Sequence, residues 1–103
     1  MNSGAESVGA EEPEAVDMEM LISGLEAGDN RAFRLAIRLY GGAMLAAARS
    51  VSSMHAEDAV QEAWLASMHA IKTFERRSSL KTWLVSIAIK QTYNYLRKNK
   101  MTV

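Results

Sequence analysis

The sequence predicts an all-α fold: a compact bundle of about four helices joined by short loops, preceded by a mobile acidic arm. Three observations carry that expectation. Beyond residue 16, apolar residues recur every three or four positions, and no stretch alternates as a half-buried strand would. Alanine is abundant, and the only proline, Pro13, lies within the first fifteen residues. The segments between periodic stretches are short, as between neighbouring helices of a bundle.

The opening MNSGAESVGAEEPEA is polar and acidic. It cannot bury enough apolar area to offset the entropy of ordering, so residues 1–16 are assigned to a disordered arm. A first helix is expected from about Asp17 to Ala27, with Met18, Leu21, Ile22 and Leu25 at helical spacing. Gly28 supplies a left-handed stop, and Asp29 can cap the next helix. That second helix is expected from about Asn30 to Val51. Its apolar stripe is Phe33, Ala36, Ile37, Tyr40, Met44, Ala47, Ala48 and Val51, with Arg31, Arg34 and Arg38 on another face. Gly41 and Gly42 sit in its middle, where each costs up to about 1 kcal/mol relative to alanine. A kink or a close helix approach is expected there.

The third helix is expected from about Met54 to Phe74, with Ser52 or Ser53 as its cap. Ala56, Ala59, Val60, Ala63, Trp64 and Ser67 repeat at three and four residues and should face the core. ERRSS then forms a polar loop. The fourth helix starts near Ser79 or Leu80 and runs to about Lys98, its core stripe being Leu80, Trp83, Leu84, Ile87, Ala88, Gln91 and Tyr95. The helical domain is thus assigned to residues 17–100 and a tail to 101–103.

A chain of 103 residues suits one small domain. It has no cysteine, which excludes disulfides and thiolate metal sites. No apolar run approaches the roughly 18 residues that span a bilayer, and the start lacks a signal-peptide pattern. A soluble cytoplasmic protein without membrane insertion is expected. The net charge of zero conceals an asymmetry. Residues 1–30 hold eight acids and no Lys or Arg, whereas residues 31–103 hold twelve bases against four acids, a net of +8. An acidic arm on a basic body suggests a body that meets a polyanion, although two ordinary solvated faces would read the same way. There is no P-loop, HExxH or nucleophile elbow, so no enzyme is expected, and no cofactor or metal either. His55 and His69 are assigned surface or capping roles.

Two faces remain for function. On the third helix Asp58, Gln61, Glu62 and Leu65 share a stripe at i, i+3, i+4 and i+7. Two carboxylates, an amide and a leucine make a docking surface with acceptors for a partner's Arg or Lys; the alternative is a solvated outer face. On the fourth helix Lys90, Tyr93, Asn94 and Arg97 share a face. With Arg76, Arg77 and Lys81 before them they form a basic path interleaved with aromatics, the combination that suits unpaired nucleic acid. Trp83 and Tyr95 read as core, Tyr93 as the better base platform, and Lys100 as a helix-end cation.

Taken together, these segments resemble region 2 of a bacterial sigma factor of the extracytoplasmic-function (ECF) group. LISGLEAGDNRAFRLAIRLY is similar to the family's opening, HAEDAVQEAWLASMHAIKTF to its acidic Gln-Glu helix, SSLKTWLVSIA to its Thr-Trp-Leu stretch, and NYLRK to its close. The resemblance implies a module that docks on the clamp helices of the largest RNA polymerase subunit through Asp58, Gln61, Glu62 and Leu65. It also implies recognition and melting of the promoter minus-ten element, chiefly its non-template strand. Arg76, Arg77, Ser78, Ser79 and Lys81 fall in the loop, and Lys90, Tyr93, Asn94 and Arg97 on the reading helix. An anti-sigma protein is a further partner the family implies. There are departures: Lys90 stands where the family often has Asn, Gln91 follows it, His55 replaces a frequent acid, and the glycine pair is foreign to the pattern. Family members also continue into a region 4 that reads the minus-thirty-five element, and this chain stops at Val103. The competing reading is a protein-interaction module of the same fold, a decoy or anti-sigma partner without productive DNA binding.

Overall fold

Helix formation begins at Asp17, whose Oδ1 accepts from the backbone N–H groups of Glu19 at 3.0 Å and Met20 at 3.3 Å. Those bonds satisfy two of the donors that a helix start leaves unpaired. From there a computed structural model describes residues 16–101, with side chains through Asn99. The arm expected over 1–16 lies outside this range but for Val16, and so does the expected tail but for the backbone of Met101. The described residues form α1 (Met18–Glu26), α2 (Asn30–Val51), α3 (Ala56–Ala70) and α4 (Leu80–Met101), with a single 3-10 turn (Ile71–Thr73) after α3. No strand occurs among them. The all-α class and the four helices are those expected. The described residues divide into two compact units, 16–39 and 40–101.

In the first unit, α1 buries Leu21, Ile22 and Leu25 and α2 buries Ala36. The turn between the helices is a Schellman motif: Gly28 N–H donates to Leu25 O at 3.1 Å and Asp29 N–H to Gly24 O at 2.9 Å. Gly28 takes φ +78°, the left-handed conformation expected of it. Asp29 then caps α2, its Oδ1 accepting from Arg31 N–H at 2.9 Å. That backbone donor is the main cause holding the Asp29 carboxyl below the usual aspartate value. The tight approach of the unit is at Gly24, where an added Cβ would stand 2.8 Å from the Ala32 Cβ.

Of the glycine pair in α2, Gly42 makes no close approach. A Cβ at Gly42 would meet nothing within 4 Å, and the helix runs unbroken from Asn30 to Val51. A close contact is made by the single glycine of α1.

In the second unit, α2 buries Tyr40, Met44 and Ala48, α3 buries Ala56, Ala59, Ala63 and Ser67, and α4 buries Leu80, Leu84, Ala88 and Thr92. α3 and α4 pack against each other. The start of α3 differs from expectation: His55 occupies the cap position with no side-chain bond to the helix, and neither serine serves. Glu57 and Asp58 in the first turn meet the positive end of the helix dipole instead. α3 also ends earlier, at Ala70, and Phe74 closes the 3-10 turn by donating its N–H to Ile71 O at 3.1 Å. Thr92, outside the expected core stripe, is fully buried, and its hydroxyl donates to Ala88 O at 2.8 Å. A buried hydroxyl satisfied within its own helix costs little.

Gly42→Ala should stabilise the protein by up to about 1 kcal/mol through helix propensity. Gly24→Ala should fall below it by about 1–3 kcal/mol, because its methyl overlaps Ala32. Urea denaturation of both variants measures the contrast; equal effects would reject the close approach.

Candidate functional site

The buried stripe of α3 fixes the face that the helix shows outward. With Ala56, Ala59, Ala63 and Ser67 turned in, Asp58, Gln61, Glu62 and Leu65 are all exposed, Leu65 at 52%. They form one patch, as their spacing expects. Met68, 46% exposed, extends it. It lies outside the sequence-based set, although its spacing to Leu65 and Gln61 (i+3 and i+7) is the signal that marks it. Among the described residues neither Asp58 nor Glu62 has an ion-pair partner. Glu57, on the neighbouring stripe, is held by Arg49 at 3.4 Å. Both side chains of that pair are exposed, so it contributes little stability.

The acidic patch reaches toward α4 through Tyr95. Its phenol is pushed above the ordinary tyrosine value by burial first, then by the negative charges of Glu62 and Asp58. Tyr95 is half-buried rather than a core residue. Its ring stacks on His55, centroids 6.0 Å apart and planes 16° from parallel, and Lys98 Nζ lies 5.8 Å from its centroid. Asn99 Nδ2 stands 2.7 Å from His55 Nε2. His55 thus ties the start of α3 to the last turns of α4. No sequence signal marks its pairing with Tyr95. Among the described residues no group of three or more His, Asp or Glu could hold a metal ion.

The loop between the 3-10 turn and α4 is short and polar. Arg76, Arg77, Ser78, Ser79 and Lys81 are all exposed. Arg76 takes φ +63°, uncommon for a residue with a side chain. Arg77 Nε is 2.9 Å from Glu75 Oε1. Ser79 caps α4: its Oγ accepts from Thr82 N–H at 3.1 Å and closes the first turn of the helix. Phe74 and Trp83 pair with centroids 5.1 Å apart. Together with Thr73, Glu75, Arg77 and Ser78 they line a cleft of about 180 Å³. That is below the roughly 300–1,000 Å³ of small-molecule sites. Aromatic floor, hydroxyl and guanidinium are groups that suit one planar, polar-edged ring.

On α4, Lys90, Tyr93 and Arg97 are exposed and Asn94 is half-buried. All four lie away from the buried Leu84–Ala88–Thr92 stripe, on the face expected. Tyr93, 52% exposed, offers its ring to the outside. Asn94 Nδ2 donates to Gln91 Oε1 at 3.5 Å and Arg97 donates to Asn94 Oδ1, a ladder that presets amide and guanidinium side by side. Such a face provides cations for a backbone and a ring for a base.

Comparison with known proteins gives a consistent picture. Residues 31–102 match the family described as Sigma-70 region 2. The chain is similar to the ECF RNA polymerase sigma-E factor of Escherichia coli strain K12, 33% identical over 79 residues, which cover 76% of this chain and 41% of that relative. Relatives of the same name from Escherichia coli O157:H7 and Shigella flexneri match at the same level. The chain therefore spans about two fifths of the length of the curated relatives it matches. No solved structure matches.

Asp58→Asn with Glu62→Gln should lower the titration midpoint of Tyr95 toward the ordinary tyrosine range, followed as tyrosinate absorbance relative to Tyr95→Phe. The remaining elevation reflects burial alone. An unmoved midpoint would place the two carboxylates too far away to matter.

Proposed function

Because the chain belongs to the sigma-70 region 2 family, we propose that residues 17–100 act as a transcription-initiation module that docks on RNA polymerase and opens promoter DNA. The outer face of α3 is the docking surface. Asp58 and Glu62 present carboxylates that no Lys or Arg of the described chain neutralises. Basic side chains on the clamp helices of the largest polymerase subunit would complete them. Leu65 and Met68 give the patch its apolar centre.

The face of α4 and the preceding loop meet the minus-ten element. Arg76, Arg77, Lys81, Lys90 and Arg97 track phosphates, and Tyr93 stacks on an unpaired base of the non-template strand. The Phe74–Trp83 cleft, edged by Ser78 and Arg77, receives an extruded base. Flipping a base costs a few kcal/mol of unpairing. Stacking on an aromatic recovers about 1–3 kcal/mol per base, and the backbone charges supply more. The open strand is thereby favoured by binding energy alone, and the module does no bond chemistry. Its place of work is the cytoplasm, with the polymerase and the DNA.

The observation that carries this reading is the joint exposure of the two patches on one packed helix pair: uncompensated carboxylates on α3, cations with a free tyrosine ring on α4. An anti-sigma protein would compete for the same acidic patch.

Asp58→Lys with Glu62→Lys should reduce binding to core polymerase at least about tenfold, read by surface plasmon resonance, with helix content unchanged by circular dichroism. Undiminished binding would refute the docking surface. Tyr93→Ala should weaken binding of a minus-ten non-template oligonucleotide by about 1–3 kcal/mol, read by fluorescence anisotropy. Wild-type affinity in that variant, or a wild-type chain that binds only a protein regulator and never DNA, would favour the pure interaction module.

A further inference from the structure

Arg31, Arg34 and Arg38 of α2 have no part in the function proposed above. At i, i+3 and i+7 they share one stripe of the helix, and all three are exposed. Arg34 and Arg38 have no ion-pair or hydrogen-bonding partner for their side chains among the described residues. Arg31 is held loosely, its NH2 3.6 Å from Asp29 Oδ2. No acidic residue stands in the first turn of α2. Arg31 stands there instead, at the positive end of the dipole, where anions are favoured and cations are not. The guanidinium groups of Arg34 and Arg38 meet no anion of the described chain, which leaves them to an external one.

The chemistry of the stripe selects the kind of anion. Arg34 and Arg38 flank Ile37, 46% exposed, and the three line an open cleft of about 310 Å³. One isoleucine offers too little apolar area to anchor a protein partner, which needs a buried hot-spot cluster. Guanidinium forks suit phosphates, which they bind bidentately. From Arg31 to Arg38 the helix rises about 10 Å, comparable to the rise of roughly three base pairs along a duplex axis.

We propose that α2 carries a second nucleic-acid contact, in which Arg31, Arg34 and Arg38 grip the sugar–phosphate backbone of promoter DNA without reading bases. The inference rests on the DNA-binding function proposed above and adds to it a separate patch in the first unit. The contact raises affinity equally for all sequences and makes it steeper in salt.

The test uses the full chain and a fluorescein-labelled forked DNA carrying the minus-ten element, with a scrambled fork beside it, between about 50 and 200 mM salt. Arg34→Gln with Arg38→Gln should weaken binding about tenfold or more on both forks at low salt. It should reduce the log–log salt slope by roughly 1.5, since each neutralised phosphate contributes about 0.7–0.9. Arg34→Lys with Arg38→Lys keeps the charge and should keep most of the slope. On the wild-type chain, which needs no folding control, neutral methylphosphonates should weaken binding at a short run of backbone positions and lose that effect in the Gln variant. A Gln variant with the full wild-type slope overturns the inference and leaves the proposed function intact. A stripe needed for core polymerase and not for DNA also overturns it, in favour of a protein contact. Absence of DNA binding by the wild-type chain, alone and with polymerase, defeats the proposed function first.

Discussion

Ala56, Ala59, Ala63 and Ser67 are small enough to bring α3 onto α4, and that contact decides what the two helices can show to the outside. With 3.6 residues per turn, burying that stripe turns Asp58, Gln61, Glu62 and Leu65 out together. Burying Leu80, Leu84, Ala88 and Thr92 does the same for Lys90, Tyr93 and Arg97 on α4. The two patches are thus consequences of one packing choice. A bulkier residue in the α3 stripe would force the helices apart and disturb both patches at once, since tightly packed interiors absorb extra volume poorly.

Charge is distributed so that the patches stay distinct. The acids of α3 are left without basic partners on their own helix, while Glu57 is engaged by Arg49. Between the patches stands Tyr95, a neutral ring with Lys98 and His55 against it and its phenol held protonated beside Glu62 and Asp58. An aromatic spacer of this kind separates unlike charges without burying either. It also ties the start of α3 to the end of α4 through the imidazole and Asn99, so the helix that would read DNA and the helix that would dock are mechanically joined at that end.

Local chemistry was the most legible part of the sequence. Asn30 to Val51 was expected as one helix and is one, because Asp29 caps it and the apolar period persists to its end. Gly28 was expected to turn left-handed, since only glycine enters that conformation without cost, and does. Both sets of patch residues lie on the stripes that their spacing assigned them. Features that depend on neighbours distant in the chain were less legible. Thr92 looks polar yet is buried, because its own helix accepts its proton. Tyr95 looks apolar yet is only half-buried, its cover coming from His55, at the far end of another helix. A Cβ at Gly42, one of the pair that suggested a close approach, would meet nothing, whereas Gly24, unremarked in the sequence, makes such an approach. The serine cap expected at the start of α3 is absent: His55 holds the cap position without a side-chain bond to the helix, its ring stacked on Tyr95, and Glu57 and Asp58 meet the dipole.

Site-specific photo-crosslinking in the complex with core polymerase and promoter DNA tests directly that one helix pair faces two partners. A crosslinker in place of Leu65 should capture the largest polymerase subunit and no DNA, and one in place of Tyr93 should capture the non-template strand at the minus-ten element. DNA captured from the first site, or polymerase alone from the second, would contradict the assignment of the two faces.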